Sequence, residues 1–144
     1  MSKMIFINLP VTNLDRSIAF YEAVGGRKES KFSNENASMI VLSDTINVML
    51  LKHSFYSTFT GKPIADAHKT SQVLLAISAD SAADVDGMID KAGAAGGLID
   101  PGPKQDLGGM MYGRSFEDPD GHHWEVVWMD PKAAEQGASA FEEA

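Results

Sequence analysis

The chain has 144 residues and a mass of 15.5 kDa, long enough for one well-buried domain and short for two independent ones. It contains no cysteine, which excludes disulfides, thiolate nucleophiles and thiolate metal sites. A formal charge of −8 and a pI near 4.8, with no basic cluster to offset them, argue against nucleic acid and anionic membranes as partners. Residues 1–8 hold no apolar run long enough for a signal peptide and no segment approaches a membrane span, so a cytoplasmic location is expected.

In chain order, a strand is predicted around Ile5 to Val11. Asn13 is a good helix N-cap for a helix from Leu14 to about Val24 with Leu14, Ile18 and Tyr21 on its apolar face. Gly25-Gly26 ends it. Strands are predicted at 27–33, 37–43 and 46–52, separated by turn signals at Asn34-Glu35-Asn36 and Ser43-Asp44. Residues 53–71 have no clear period yet carry Phe55, Tyr56, Phe59 and Ile64, so they read as a linker packed on the sheet or as a lid over a pocket. The order then repeats at an offset of roughly 70 residues. A strand runs from Gln72 to Ser78, and Ser81 with Asp84 forms an approximate capping box. The helix after it buries Val85, Met88, Ile89 and Ala92, and Gly96-Gly97 closes it. After the loop Asp100-Pro101-Gly102-Pro103, strands follow near 110–116 and 122–129, and a small acidic tail, 130–144, reads as frayed or as a weakly docked helix. The expectation is an α+β fold of two βαβββ modules, at about 4–52 and 72–129, in a single domain.

The stretch Asp118-Pro119-Asp120-Gly121-His122-His123-Trp124-Glu125 is the most informative. Pro119 presets φ, Asp120-Gly121 tolerates a left-handed backbone, and the turn therefore pins the register of the strand behind it. Alternation puts His123, Glu125 and Val127 on one face and His122, Trp124, Val126 and Trp128 on the other. The aromatic face reads as core or interface. The other face sets an imidazole beside a carboxylate, and Glu125 is either a functional group or the polar side of a half-buried strand.

Paired βαβββ modules, the opening "NLPVTNLDRSIAFYEAVGG" and the closing "SFEDPDGHHWEVVW" resemble the vicinal oxygen chelate superfamily, which holds glyoxalase I, bleomycin-resistance proteins, fosfomycin-resistance enzymes and extradiol dioxygenases. The strings "FINLPV", "VMLLKHSFYSTF", "MMYGRSFEDPDG" and "HHWEVVWMD" are most similar to the bacterial branch labelled predicted lactoylglutathione lyase. The resemblance implies cup-shaped mixed sheets, a small ligand inside, and homodimerisation. It also implies metal ligands on four strands. Of the four positions, only the last matches. Glu125 stands four residues after Gly121, where the family carries its carboxylate, but the other positions hold Phe6, Met49 and Leu74. A one-residue slip does not help, because the histidines are His53, His68, His122 and His123. Zinc needs three or four protein ligands, so no resident cofactor is expected. The remaining opening is a weakly held magnesium sharing one carboxylate with substrate phosphate oxygens.

Extending the alternation from these positions puts Phe6, Asn8, Met49, Gln72 and Leu74 in the cup with His123 and Glu125, an apolar pocket with a few amides and one ionisable pair. Tyr112 and Arg114 share a face of their strand and are expected to join the cup. Arg114 is either an anion contact in the cup or an ion pair elsewhere. Three functions follow as alternatives. One is a metal-independent binder of a small organic molecule. Another is a lyase or isomerase of the lactoylglutathione-lyase-like type in which Glu125 is base or metal ligand and His123 orients or protonates. The third is a regulatory or structural partner whose cup is filled by side chains.

Overall fold

The computed structural model describes residues 2–141. The end of the predicted tail, 142–144, lies outside the described residues. Module one runs β1 (Ile5–Val11), α1 (Leu14–Ala23), β2 (Arg27–Glu29), β3 (Ala37–Val41) and β4 (Ile46–Lys52). A short helix, α2 (His53–Tyr56), opens the connecting segment, where Phe55 and Phe59 pack edge to face at 5.2 Å. Module two runs β5 (Leu75–Ser78), α3 (Ala82–Ala94), β6 (Leu98–Ile99), β7 (Gln105–Asp106), β8 (Met111–Glu117) and β9 (His123–Met129). A last helix, α4 (Pro131–Gln136), docks through the buried Ala133.

Each module builds one sheet with the same topology. The first has the order β1-β4-β3-β2 and the second β5-β9-β8-β6, with β7 paired to β8. In both, the first and last strands of the module run parallel side by side, β1 on β4 and β5 on β9, and the other pairs are antiparallel. The crossover helix required by each parallel pair is α1 or α3.

Local chemistry accounts for these elements. The Asn13 side chain accepts from Arg16 N at 3.0 Å, and the Ser81 side chain accepts from Asp84 N at 3.0 Å, satisfying donors that a helix N-terminus leaves free. Both helices end the same way. Gly25 and Gly96 take φ of +109° and +99°, which glycine adopts without strain. The second glycine of each pair then packs too closely for a side chain: a Cβ on Gly97 would lie 2.6 Å from Glu117 O and 2.8 Å from the Phe20 ring.

Two predicted strands are shorter than expected. After Glu29 the chain turns through a 3-10 segment, Ser30–Phe32, with the Glu29 carboxylate accepting from Lys31 N. Residues 72–74 find no partner strand, so β5 begins at Leu75. The two-residue strands β6 and β7 are too short to leave a period in the sequence.

Helices α1 and α3 cover one face of both sheets, and a single core joins the modules. Phe20 and Tyr21 of α1 reach Phe116 and Trp124 of the second sheet, with Phe20–Phe116 centroids at 5.7 Å and Tyr21–Trp124 at 6.2 Å. The aromatic face of β9 is therefore core, covered within the chain.

Candidate functional site

The Asp118–Gly121 turn is built as its residues require. Gly121 has φ of +89° and its N–H donates to Asp118 O at 2.9 Å, and Asp118 N donates to His122 O at 3.0 Å. One Asp118 oxygen accepts from the backbone N–H of Asp120 and of His122, each at 2.9 Å. The other accepts the Tyr21 hydroxyl at 2.6 Å, and Trp124 Nε1 donates to that hydroxyl at 3.0 Å. Burial pushes both the Asp118 carboxyl and the Tyr21 hydroxyl above their ordinary ranges. Asp120 adds a second tie between modules, accepting from Thr12 N at 3.1 Å, Thr12 Oγ1 at 2.7 Å and Ser17 Oγ at 3.4 Å. His122 donates through Nε2 to Pro10 O at 2.8 Å. These groups hold the register of β9.

The opposite face of β9 differs. His123 and Glu125 project away from the helices, with His123 Nε2 3.4 Å from Glu125 Oε1 and side-chain exposures of 19% and 33%. His123 Nε2 is buried and has no hydrogen-bond partner, a condition native proteins seldom leave without a reason. The ladder supplies the neighbours. Glu117 lies across from His123, Ser115 across from Glu125 and Gly113 across from Val127, while Ala76 and Ser78 of β5 flank Glu125 and Val127 on the other side. The small side chains at Ala76 and Ser78 leave a hollow of about 430 Å³ at this edge, lined also by Val127 and Met129. The seam between the modules, in contrast, holds a void of about 10 Å³ among Tyr21, Val24, Leu42, Ile77, Met88, Phe116 and Trp124, room for about one water.

The remaining expected site residues fall in three places. Phe6, Asn8 and Met49 lie on the corresponding face of the first sheet, where Phe6 pairs with Asn47 and Asn8 with Met49; Phe6 is 48% exposed, and the Asn8 amide donates to Phe6 O at 3.0 Å. Gln72 and Leu74 sit exposed on the irregular lead-in to β5. Tyr112 and Arg114 face the helices, contrary to their expected place in the cup, because in β8 they register with Trp128 and Val126. The Arg114 guanidinium is held by Asp86 at 2.8 Å and Asp100 at 2.6 Å, and Tyr112 donates to Asp86 at 2.7 Å. Hydrogen bonds from Tyr112 and Arg114 lower the Asp86 carboxyl, those from Arg114 lower Asp100, and the guanidinium is raised in turn. Three of the five Arg114 N–H groups are bound by these carboxylates, on the face away from the cup.

Residue-by-residue reading passed over Ser115 and Glu117. No local signal distinguishes the two faces of β8; only its register with β9 places Ser115 and Glu117 beside Glu125 and His123.

Among the described residues, no three His, Asp or Glu side chains are placed to hold a metal ion. His123 and Glu125 offer two donors, and Phe6, Met49 and Leu74 offer no hard ligand, so the residues present do not fit the three- or four-ligand site of the family's metalloenzymes. Nor is any helix among the described residues long and apolar enough to cross a membrane.

Solved structures share this architecture. A hypothetical protein of S. aureus is 23% identical, with 89% of this chain and 94% of that one covered at a TM-score of 0.73. A glyoxalase/bleomycin resistance protein/dioxygenase family enzyme of Burkholderia phytofirmans is 15% identical, covering 90% and 100% at 0.75. The fosfomycin resistance protein FosX of Mesorhizobium loti is 18% identical, covering 94% and 98% at 0.66. At these identities the likeness is one of fold. No curated protein matches the chain in sequence. The family model described as Glyoxalase/Bleomycin resistance protein/Dioxygenase superfamily matches residues 3–126, and with two βαβββ modules of identical strand order behind that match the chain belongs to this superfamily.

Proposed function

We propose that the protein binds a small, largely apolar organic molecule on the concave face of the second sheet, without a resident metal. One observation carries this reading: an apolar hollow of about 430 Å³ lined by Ala76, Ile77, Ser78, Ala79, Val127 and Met129, with Ala76 in register with Glu125. The apolar lining supplies contact area for such a molecule, and Glu125 beside Ala76 supplies a polar contact.

A homodimer is part of the proposal. β1 and β5 each have one unpaired edge, and Met4, Ile5, Phe6, Val73 and Leu74 are exposed along them. A second copy that covers these edges shields apolar surface and free backbone groups together. It would also bring the Phe6, Asn8 and Met49 face of one copy toward the His123 face of the other. Light scattering at micromolar concentration should give twice the chain mass; a monomer removes the dimer and leaves the fold untouched.

The test of function starts from a thermal-shift screen of small organic molecules, followed by affinity and turnover measurements on wild type and Glu125→Gln. A binder should lose affinity in the variant by about one charge-assisted hydrogen bond, roughly 1.5–3 kcal/mol, and show no turnover in either form. The His123–Glu125 pairing also supports a second reading, a lyase or isomerase with Glu125 as general base. Wild-type turnover that collapses in Glu125→Gln with affinity intact would replace the binder by that enzyme.

A further inference from the structure

The free edge of β8 carries more chain than it needs. β6 pairs with Glu117 and Phe116 of β8, and β7 pairs with Gly113 and Tyr112. Residues 100–104 therefore pass an edge of only two residues, Arg114 and Ser115, and the surplus bulges out of the ladder. We propose that the tip of this bulge, Pro101-Gly102-Pro103, is a strap that closes over His123 and lifts to uncover the His123–Glu125 pair; that it admits a ligand there rests on the reading that this concave face binds one.

Both ends of the strap are fixed. Asp100 donates its N–H to Ser115 O at 2.8 Å, and its carboxylate accepts from Arg114 Nε at 3.0 Å and Nη2 at 2.6 Å. These ties hold Asp100 at a left-handed φ of +52°, which few residues other than glycine adopt. At the other end Gln105 is already in β7. The tip between them has almost no ties. Pro101 and Pro103 have no N–H, and the carbonyls of 101–103 accept no hydrogen bond among the described residues. Gly102 N–H donates to the side-chain oxygen of the buried Ser115 at 3.2 Å. That bond draws the tip onto the concave face: a Cβ on Gly102 would lie 3.6 Å from Ser115 Oγ and 3.8 Å from His123 Cε1. His123 Nε2, next to that carbon in the ring, is buried without a partner. Closure thus gains one hydrogen bond and leaves one imidazole nitrogen unsolvated, so the closed and lifted forms lie close in free energy. Lifting hydrates the nitrogen and clears the face from Ser115 across Glu125 to Ala76 at the hollow.

Carbethoxylation of imidazoles by diethyl pyrocarbonate, located on the full chain by fragment-ion mass spectrometry, tests the strap without any ligand. In the wild type His123 should react much more slowly than the exposed His53 and His68. Ser115→Ala removes the acceptor that holds Gly102 and should speed modification of His123 roughly threefold to tenfold, with His53 and His68 unchanged. Gly102→Ala works in the opposite sense. Its methyl fits against Ser115 and His123 in the closed form and narrows the freedom of the lifted chain, so modification of His123 should slow. Each variant tests the strap by itself should the other fail to fold. His123 reacting as fast as His53 in the wild type would show that nothing covers it, and equal His123 rates in the wild type and both variants would show that the strap does not lift; either result overturns the proposal. The binding reading fails separately, in the screen of small organic molecules, which does not depend on these rates.

Discussion

The seam between the modules and the concave face of the second sheet draw polar groups from the same short stretch, residues 115–128, and treat them in opposite ways. In the seam, Asp118, Asp120 and His122 are buried or partly buried and every one has partners: Tyr21, Thr12, Ser17, backbone N–H groups and the Pro10 carbonyl. On the concave face, His123 has a buried nitrogen with no partner and Glu125 stays a third exposed. On the proposed reading, the contrast separates polar residues that hold the fold from polar residues left for a ligand. A satisfied network rigidifies its surroundings, whereas an unsatisfied group costs stability until something binds it.

The largest effect that would break this contrast is in the seam. Asp118→Ala leaves the Tyr21 hydroxyl and two backbone N–H groups without their acceptor, and should cost about 3 kcal/mol, lowering Tm by on the order of 10 °C. Thermal denaturation showing less than a third of that would mean that the turn is not what fixes β9. Arg114→Leu is next, at about 1–2 kcal/mol, because it strands Asp86 and Asp100. It also tests the pH dependence. Hydrogen bonds from Arg114 and Tyr112 hold the Asp86 and Asp100 carboxyls below their ordinary values, so their contribution is present above the unfolded carboxylate pKa and is lost as pH falls through the lowered folded values. Denaturation across the acid range should therefore fall less steeply for Arg114→Leu than for wild type. Ligand affinity should be unchanged in this variant; a marked loss would return Arg114 to the site.

His123→Leu should act in the opposite direction. Removing a buried nitrogen without a partner is expected to stabilise the free protein by about 0.5–1 kcal/mol while weakening ligand binding, the usual exchange at a binding site. A destabilised variant would place His123 with the structural histidines such as His122. The smallest effect concerns metal. Zinc, nickel or manganese added to the purified protein should move Tm by less than about 1 °C, because binding to the folded state would show as stabilisation by mass action. A clear shift that disappears in Glu125→Gln would restore a metal site.

Helix caps, the paired glycines, the long strands and the repeated module were legible in the chain because each leaves a local signature: an Asn or Ser before an apolar period, a glycine where φ must be positive, alternation at period two. The placement of His123 and Glu125 on the face away from the aromatics was legible for the same reason. Alternation could not say which face of β8 looks toward the helices, so Arg114 and Tyr112 were expected in the cup while Ser115 and Glu117 took those places. It was equally silent on the frayed start of β5, since Gln72, Val73 and Leu74 look as strand-like as the residues after them.

By itself, then, the sequence determined the modules and the turn that aligns β9, because these depend on residue identity at short range. Tertiary structure alone decided that Asp118 and Asp120 bind α1 rather than solvent, that Tyr21 joins the modules through Trp124, and that Arg114 is consumed by Asp86 and Asp100. Those outcomes depend on which distant groups arrive beside a side chain, and no local pattern encodes the partner of a buried charge.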